Sequence, residues 1–178
     1  MVSWNRGADP TLAEKWSMTN TGQAPEVAWE RLDGLYREAI LDHARNPRNR
    51  RPLPIPDVQA HVLNPFCGDE VFVDLALAEG RVVDVCVRSN GCAICQASAS
   101  MMSEVLSDNE TASLRGLSHS FSRMMRQAPL EEAELKKLGS ARALAGVALF
   151  PTRIKCAVLA WSALDEALDQ CDAPRSTR

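Results

Sequence analysis

The fold is decided by residues 58–92, which read VQAHVLNPFCGDEVFVDLALAEGRVVDVCVRSNGC. Apolar and polar residues alternate through residues 58–64, 71–78 and 82–88, as in half-buried strands. The turn at residues 79–81 separates the last two segments and is typical of a hairpin. We therefore predict an antiparallel meander of three strands. In its third strand, Val83, Val85 and Val87 supply the alternating apolar positions.

The turn that joins the first two strands holds a thiol and a carboxylate two positions apart, Cys67 and Asp69. Pro65 fixes its own φ and Gly68 can adopt a positive φ, so the backbone can fold back tightly here. In a meander, the first strand ends at the same sheet edge as the third, which leads into Cys92. The topology therefore predicts that Cys67 and Cys92 lie close together.

Helical periodicity surrounds the strand region. An apolar stripe begins near Ala28 and runs to His43, which we interpret as a packed helix residue rather than a ligand. Two further helices are predicted around residues 117–125 and over residues 130–144. The sequence thus favours an α+β fold, in which a small three-stranded antiparallel sheet has helices packed against it.

Two helices are expected to begin beside the predicted site. The segment from Cys92 to Leu106 is rich in small residues, and the positive end of its helix dipole favours a thiolate. The last helix is predicted to start near Pro151, a residue favoured in the first turn. Cys156 then falls in that first turn and off the apolar stripe, so core packing does not explain it.

Composition excludes several classes of protein. The 178 residues carry a net charge of −3, so we predict no nucleic-acid partner. No apolar run approaches the roughly 20 residues that a membrane span needs, and no secretory signal is evident. We therefore expect no membrane association and a cytoplasmic location. For its organisation we predict a disordered N-terminal arm (1–27), one domain (28–171) and a flexible C-terminal tail (172–178).

Clustered cysteines in a reducing compartment more often bind metal than form disulfides. Cys67, Cys92 and Cys156 supply three sulfurs and Asp69 an oxygen, which matches a tetrahedral zinc site. Thiolates suit an iron–sulfur cluster equally well. From the residues alone, scattered cysteines and a purely structural zinc module remain open.

Four motifs carry a resemblance to a known family: LYRE, DH and NPRN at residues 35–49, NPFCGD at 64–69, GCAI with ASAS at 91–100, and RIKC at 153–156. Together they resemble the IscU/NifU/SufU family of iron–sulfur cluster assembly proteins over residues 32–170. The resemblance implies the same α+β fold. It also implies a site formed by Cys67, Asp69, Cys92 and Cys156, whether for a metal ion or for a cluster.

Within that family the sequence is most similar to the SufU branch. The 64-residue separation of Cys92 and Cys156 is longer than in IscU-type members. Lys155 stands where IscU-type members carry a histidine, and their Pro-Pro-Val-Lys chaperone motif is absent. Cys95 stands where the family usually has serine, and we interpret it as a passive small residue. Cys86 and Cys171 are interpreted as structural.

The resemblance implies a zinc-dependent sulfur acceptor, with Zn²⁺ as cofactor. Cys67 would take persulfide sulfur from a SufS-like cysteine desulfurase and pass it to the SUF cluster assembly complex. Transient release of Cys67 from zinc would free it to attack. Whether the protein is itself an enzyme is left open; if it is, it is a zinc-dependent sulfurtransferase.

Other functions remain as alternatives. The same three cysteines serve a scaffold on which an iron–sulfur cluster is built and transferred. A remote alternative is a thioredoxin-like oxidoreductase, because Cys92-Ala93-Ile94-Cys95 opens a helix after a strand. A zinc hydrolase or deaminase lacks its His-x-Glu and Pro-Cys-x-x-Cys pattern here.

Overall fold

The computed structural model describes residues 34–172. In chain order the elements are helix α1 (Gly34–Arg45), strands β1 (Val58–Leu63), β2 (Glu70–Ala78) and β3 (Arg81–Asn90), helices α2 (Ala93–Glu104), α3 (Thr111–Met125) and α4 (Glu132–Lys137), a 3₁₀ segment (Gly139–Leu149), and helix α5 (Pro151–Asp172). The predicted N-terminal arm, the start of the first helix at residues 28–33 and the tail beyond residue 172 lie outside the described residues. The division into arm, domain and tail therefore stays a prediction.

The three strands form one antiparallel sheet in the order β1-β2-β3, which confirms the predicted meander. Leu63 pairs with Glu70, and Glu70 pairs with Asn90, so these three residues lie side by side at one edge. The chain leaves β1 and β3 at this edge, into the loop 64–69 and towards Cys92. The sheet therefore delivers both cysteines to one place.

The β2–β3 hairpin turns through Glu79 and Gly80, both with positive φ (51° and 75°), as a two-residue hairpin turn requires. A β-bulge follows, since Ala76 pairs with Asp84 but Leu77 pairs with Val82. The bulge reverses the alternation at the start of β3. Val82 is consequently buried and Val83 is 54% exposed. The prediction that Val83 shares the apolar positions of Val85 and Val87 was therefore wrong.

One face of the sheet is covered by α2 and α5. Val71, Val73 and Leu75 on the central strand are fully buried beneath these helices. The small residues of α2 allow close approach: the Ser98 hydroxyl donates a hydrogen bond of 2.6 Å to the Ala157 carbonyl on α5. The α+β architecture predicted from the sequence is confirmed.

Two predicted helices have different bounds in the structure. The helix expected at residues 117–125 begins at Thr111, because its apolar face also includes the buried Leu114. The helix expected over residues 130–144 ends at Lys137. Gly139, whose φ of +55° lies in the left-handed region, ends the regular helix, and a 3₁₀ segment continues the chain.

Helix α1 packs on α2 and ends at Arg45, immediately before Asn46 and Pro47. His43 is buried, with its Nδ1 2.8 Å from Ser100 Oγ. This contact confirms the interpretation of His43 as a packed helix residue. None of the helices within residues 34–172 is both long and apolar enough to cross a membrane.

Candidate metal and sulfur-acceptor site

The loop from Asn64 to Asp69 is closed by its own hydrogen bonds. The Asn64 N–H donates to the Asp69 carbonyl at 2.8 Å, and the Gly68 N–H donates to the Asn64 carbonyl at 2.9 Å. The Asn64 side chain accepts a third bond, from the Phe66 N–H at 3.1 Å. Gly68 adopts the positive φ (73°) that the sequence suggested. The loop therefore presents Cys67 to solvent while it buries Asp69.

Three potential ligand atoms converge at this loop. The sulfurs of Cys67 and Cys156 and a carboxylate oxygen of Asp69 all lie within 4.8 Å of one another. In a tetrahedral zinc site with bonds of about 2.3 Å, two sulfurs are about 3.8 Å apart. The spacing of the three atoms is thus compatible with binding a single ion.

Cys92 lies beside these three residues, but its sulfur is not one of the ligand atoms that lie within 4.8 Å of one another. It is the N-cap residue of α2, and its backbone N–H donates a 3.3 Å hydrogen bond to Asp69 Oδ1. Its thiol is also near enough to Cys156 to raise the pKa of the Cys156 thiol. All four residues singled out from the sequence therefore meet at one edge of the sheet.

Cys156 is placed differently from the prediction. It lies five residues after Pro151, in the second turn of α5, and only 6% of it is exposed. It was expected in the first turn and outside the core. The helix buries residues on more sides than the single apolar stripe suggested, and Ala157 and Ala160 beside Cys156 are fully buried.

Gly91 is a site residue that sequence reasoning did not single out. A Cβ on Gly91 would lie 2.7 Å from Asp69 Cγ and 2.8 Å from Asp69 Oδ1, closer than such atoms approach. Its φ is not in the left-handed region, so the close approach alone requires glycine. The signal available in the sequence was its position immediately before Cys92. Gly91 leaves the space in which the Asp69 carboxylate lies.

The electrostatics of the site favour a cation. Burial raises the pKa of Cys156 well above its ordinary value, and the neighbouring Cys92 and Asp69 raise it further. Asp69 Oδ2 is buried and has no hydrogen-bond partner among the described residues. A buried carboxylate oxygen without a partner is costly, and a metal ion would supply the missing positive charge. The donor set of sulfur and one oxygen fits a thiophilic metal.

The remaining cysteines do not belong to this trio. Cys95 is completely buried on α2. Burial raises the pKa of Cys95 to about 12, and the negative charges of Asp69, Cys92 and Cys67 add to the effect. Cys86 is buried on β3, and the Cys171 thiol donates a 3.3 Å hydrogen bond to the Ala167 carbonyl on α5. All three therefore occupy packed positions.

Comparison with known proteins identifies the family. The protein-family model for the NifU-like N-terminal domain matches residues 35–157 of this chain. The chain belongs to the NifU-like N-terminal domain family. The matched range contains every residue of the site, from the NPFCGD loop to Cys156. The family resemblance carried by the four sequence motifs is thereby confirmed.

Two of the relatives are named for different functions, one as a sulfurtransferase and one as a scaffold. The chain is 38% identical to the zinc-dependent sulfurtransferase SufU of Bacillus subtilis, over 77% of this chain and 91% of that protein. It is 37% identical to the iron–sulfur cluster assembly scaffold protein IscU of Streptococcus pyogenes, over 80% and 87% of the two chains.

Solved structures agree with the family. A protein of the SUF system from Fervidobacterium islandicum AW-1, described as an iron–sulfur cluster assembly scaffold, superposes with a TM-score of 0.67 at 27% identity. The match covers 74% of this chain and 94% of that one. The NifU-like protein of Brucella abortus gives a TM-score of 0.68 at 26% identity, over 76% and 92% of the chains.

Proposed function

We propose that this NifU-like domain is a zinc-dependent sulfur acceptor of the SUF type in iron–sulfur cluster assembly. The observation that carries the proposal is the convergence of Cys67, Cys156 and Asp69 within 4.8 Å, beside a buried carboxylate oxygen that has no partner. Cys92 adjoins them and is the third sulfur ligand of the proposed set. When bound, zinc would hold its sulfur ligands as thiolates at neutral pH.

Cys67 is the proposed acceptor because it is the exposed member of the set, whereas Cys156 is buried and Cys92 is half-buried. Its thiolate attacks the outer sulfur of a persulfide on the donor protein. A new S–S bond forms at Cys67 as the donor's S–S bond breaks, and the donor cysteine leaves as a thiolate. The exchange balances without an external oxidant or reductant.

The proposed sulfur donor is a SufS-like cysteine desulfurase, and the proposed destination is the SUF cluster assembly complex. Support for the donor comes from the exposure of Cys67, since a protein-bound persulfide cannot reach a buried thiol. The name of the relative SufU, a zinc-dependent sulfurtransferase, agrees with this assignment. A cytoplasmic location stays a prediction from the sequence.

A second candidate function is a scaffold on which an iron–sulfur cluster is assembled. Three sulfur donors around one point suit a cluster as well as zinc, and the relative from Streptococcus pyogenes is named a scaffold. The metal and acid-labile sulfide content of protein purified without oxygen separates the two functions. The sulfur-acceptor proposal predicts about one zinc per chain and no sulfide, whereas iron with sulfide would overturn it in favour of the scaffold.

The oxidoreductase alternative gains little support from Cys95. A C-x-x-C redox pair needs two thiols that can each become accessible to a substrate. Cys95 is fully buried, and a pKa of about 12 keeps its thiol protonated at neutral pH. Nor does that alternative account for Asp69 and Cys156 beside Cys92.

A further inference from the structure

We propose that Phe66 is the anchor with which this domain docks on its sulfur donor, and that it inserts into an apolar socket beside the donor's persulfide. This inference rests on the proposed function and names the surface through which it operates. Phe66 is 86% exposed, an unusual state for a large aromatic side chain on a loop that is closed by hydrogen bonds. Aromatic anchors of this kind carry much of the binding energy at protein interfaces.

Chain geometry places Phe66 beside the reacting thiol. Phe66 and Cys67 are adjacent, so their Cα atoms are about 3.8 Å apart. Sulfur transfer requires the donor's outer sulfur to come within about 2 Å of the Cys67 sulfur, the length of the bond formed. A donor that reaches this distance covers the loop and meets the Phe66 ring. The proposed interface therefore includes the Phe66 ring.

The loop fixes the backbone at Phe66 before the donor arrives. The Phe66 N–H donates a hydrogen bond to the Asn64 side chain, and backbone hydrogen bonds at Asn64 and Gly68 close the loop. Little backbone freedom is then lost on binding, and a preorganised anchor contributes more of its contact energy to affinity. An exposed aromatic ring on a disordered segment would lack this advantage.

The ring does not serve as a lid over the metal site. A lid would lose most of its accessible surface to the groups beneath it, whereas Phe66 keeps 86% of its surface exposed. Its one described ring contact is with a cation, since Lys155 Nζ lies 5.0 Å from the ring centroid. Phe66 is therefore available to a partner.

Lys155 defines the charge of the proposed socket. It is exposed on α5, one residue before Cys156, and its ammonium group sits against the Phe66 ring. A partner that encloses the ring also brings its own surface against this ammonium group. The socket that fits is apolar at its base and carries a carboxylate at its rim, where it can pair with Lys155.

The test measures sulfur transfer from a purified SufS-type cysteine desulfurase as a function of the concentration of this protein. Phe66→Ala is expected to raise KM roughly 30-fold, with kcat changed less than twofold, since the chemistry at Cys67 is retained. Phe66→Leu should recover a large part of the loss. Lys155→Gln should raise KM severalfold and weaken its dependence on salt concentration.

Ile55→Ala is the matched control, because Ile55 is also 86% exposed but precedes β1, at the strand end opposite the loop. It should behave as the wild type. Zinc content and melting temperature should be unchanged in all four variants, which separates docking from a folding defect. An unchanged KM in Phe66→Ala, or an equal rise in Ile55→Ala, would overturn the docking inference alone. If the wild-type protein accepts no sulfur at all, the proposed function fails and the inference fails with it.

Discussion

At the scale of single residues, Asp69 gives the most direct support for the proposed metal ion. One carboxylate oxygen accepts a hydrogen bond from the Cys92 N–H, and the other is buried without a hydrogen-bond partner among the described residues. Burying a carboxylate without full compensation costs several kcal/mol. The turn between β1 and β2 does not itself require a carboxylate, because a neutral asparagine or serine could also accept the hydrogen bond from the Cys92 N–H. The residue is explained once it is assigned as a metal ligand.

Cys95 allows a residue-level test of the oxidoreductase alternative. Replacing Cys95 with serine removes the second thiol of the C-x-x-C pair and nearly preserves the side-chain volume. We expect zinc content and the rate of sulfur acceptance to stay within about twofold of wild type, because the thiol is buried and protonated. Transfer is measured with a desulfurase, and thiol–disulfide exchange with a small dithiol. An oxidoreductase would instead lose its activity in this variant.

At the scale of structural elements, the contact between the end of β3 and the NPFCGD loop depends on Gly91. Gly91→Ala places a methyl group 2.7 Å from Asp69 Cγ and must displace the carboxylate or the strand end. We expect a loss of about 1–3 kcal/mol in the free energy of unfolding and at least a tenfold loss in zinc affinity. Chemical denaturation and competition with a zinc chelator measure the two effects.

Gly116→Ala is the control for this substitution. Nothing lies within 4 Å of a Cβ at Gly116, which is exposed within α3. Alanine should there stabilise the helix by about 0.5–1 kcal/mol and leave zinc affinity unchanged. Wild-type zinc affinity in Gly91→Ala would contradict the role assigned to Asp69.

The packing of α1 on α2 predicts a dependence of stability on pH. Burial lowers the pKa of His43, an effect that the charge of Glu104 opposes. The folded protein thus binds the proton less readily than the unfolded chain, whose histidine has a pKa near 6.5. The stability gained from neutral His43 is therefore present above pH 6.5 and is lost as the pH falls towards the folded-state pKa.

Melting temperatures measured from pH 7 to pH 5 in excess chelator test this dependence without interference from metal binding. His43→Gln should show a shallower fall in melting temperature than wild type. The exposed His119 provides the control, and His119→Gln should follow the wild-type profile. A His43→Gln profile parallel to that of wild type would show that His43 is not the group responsible.

The elements differ in how far local sequence determined them. The strands and α2 were predictable because their apolar patterns are regular and their ends carry glycine or proline. The β3 bulge was not, since the alternation of Val82 and Val83 depends on pairing with β2 across the hairpin. The break after Lys137 was missed because the apolar spacing continues through Gly139.

At the scale of the whole molecule, most of the candidate site could be predicted, though not all of its geometry. The meander alone brings Cys67 and Cys92 to one edge of the sheet. Cys156 was assigned by its motif, and its burial could not be foreseen because it depends on how α5 packs against both the sheet and α2. Gly91 was missed for the same reason, since its constraint comes from a side chain distant in sequence.

The central claim is that this convergence makes Cys67 a sulfur acceptor. The most direct measurement is to incubate the zinc-loaded protein with a cysteine desulfurase and cysteine, and to locate the added sulfur by mass spectrometry of alkylated peptides. We predict one added sulfur atom on the peptide that contains Cys67, none in Cys67→Ala, and wild-type loading in Cys171→Ala, in which a cysteine outside the site is removed. Equal loading of Cys67→Ala and wild type would contradict the account.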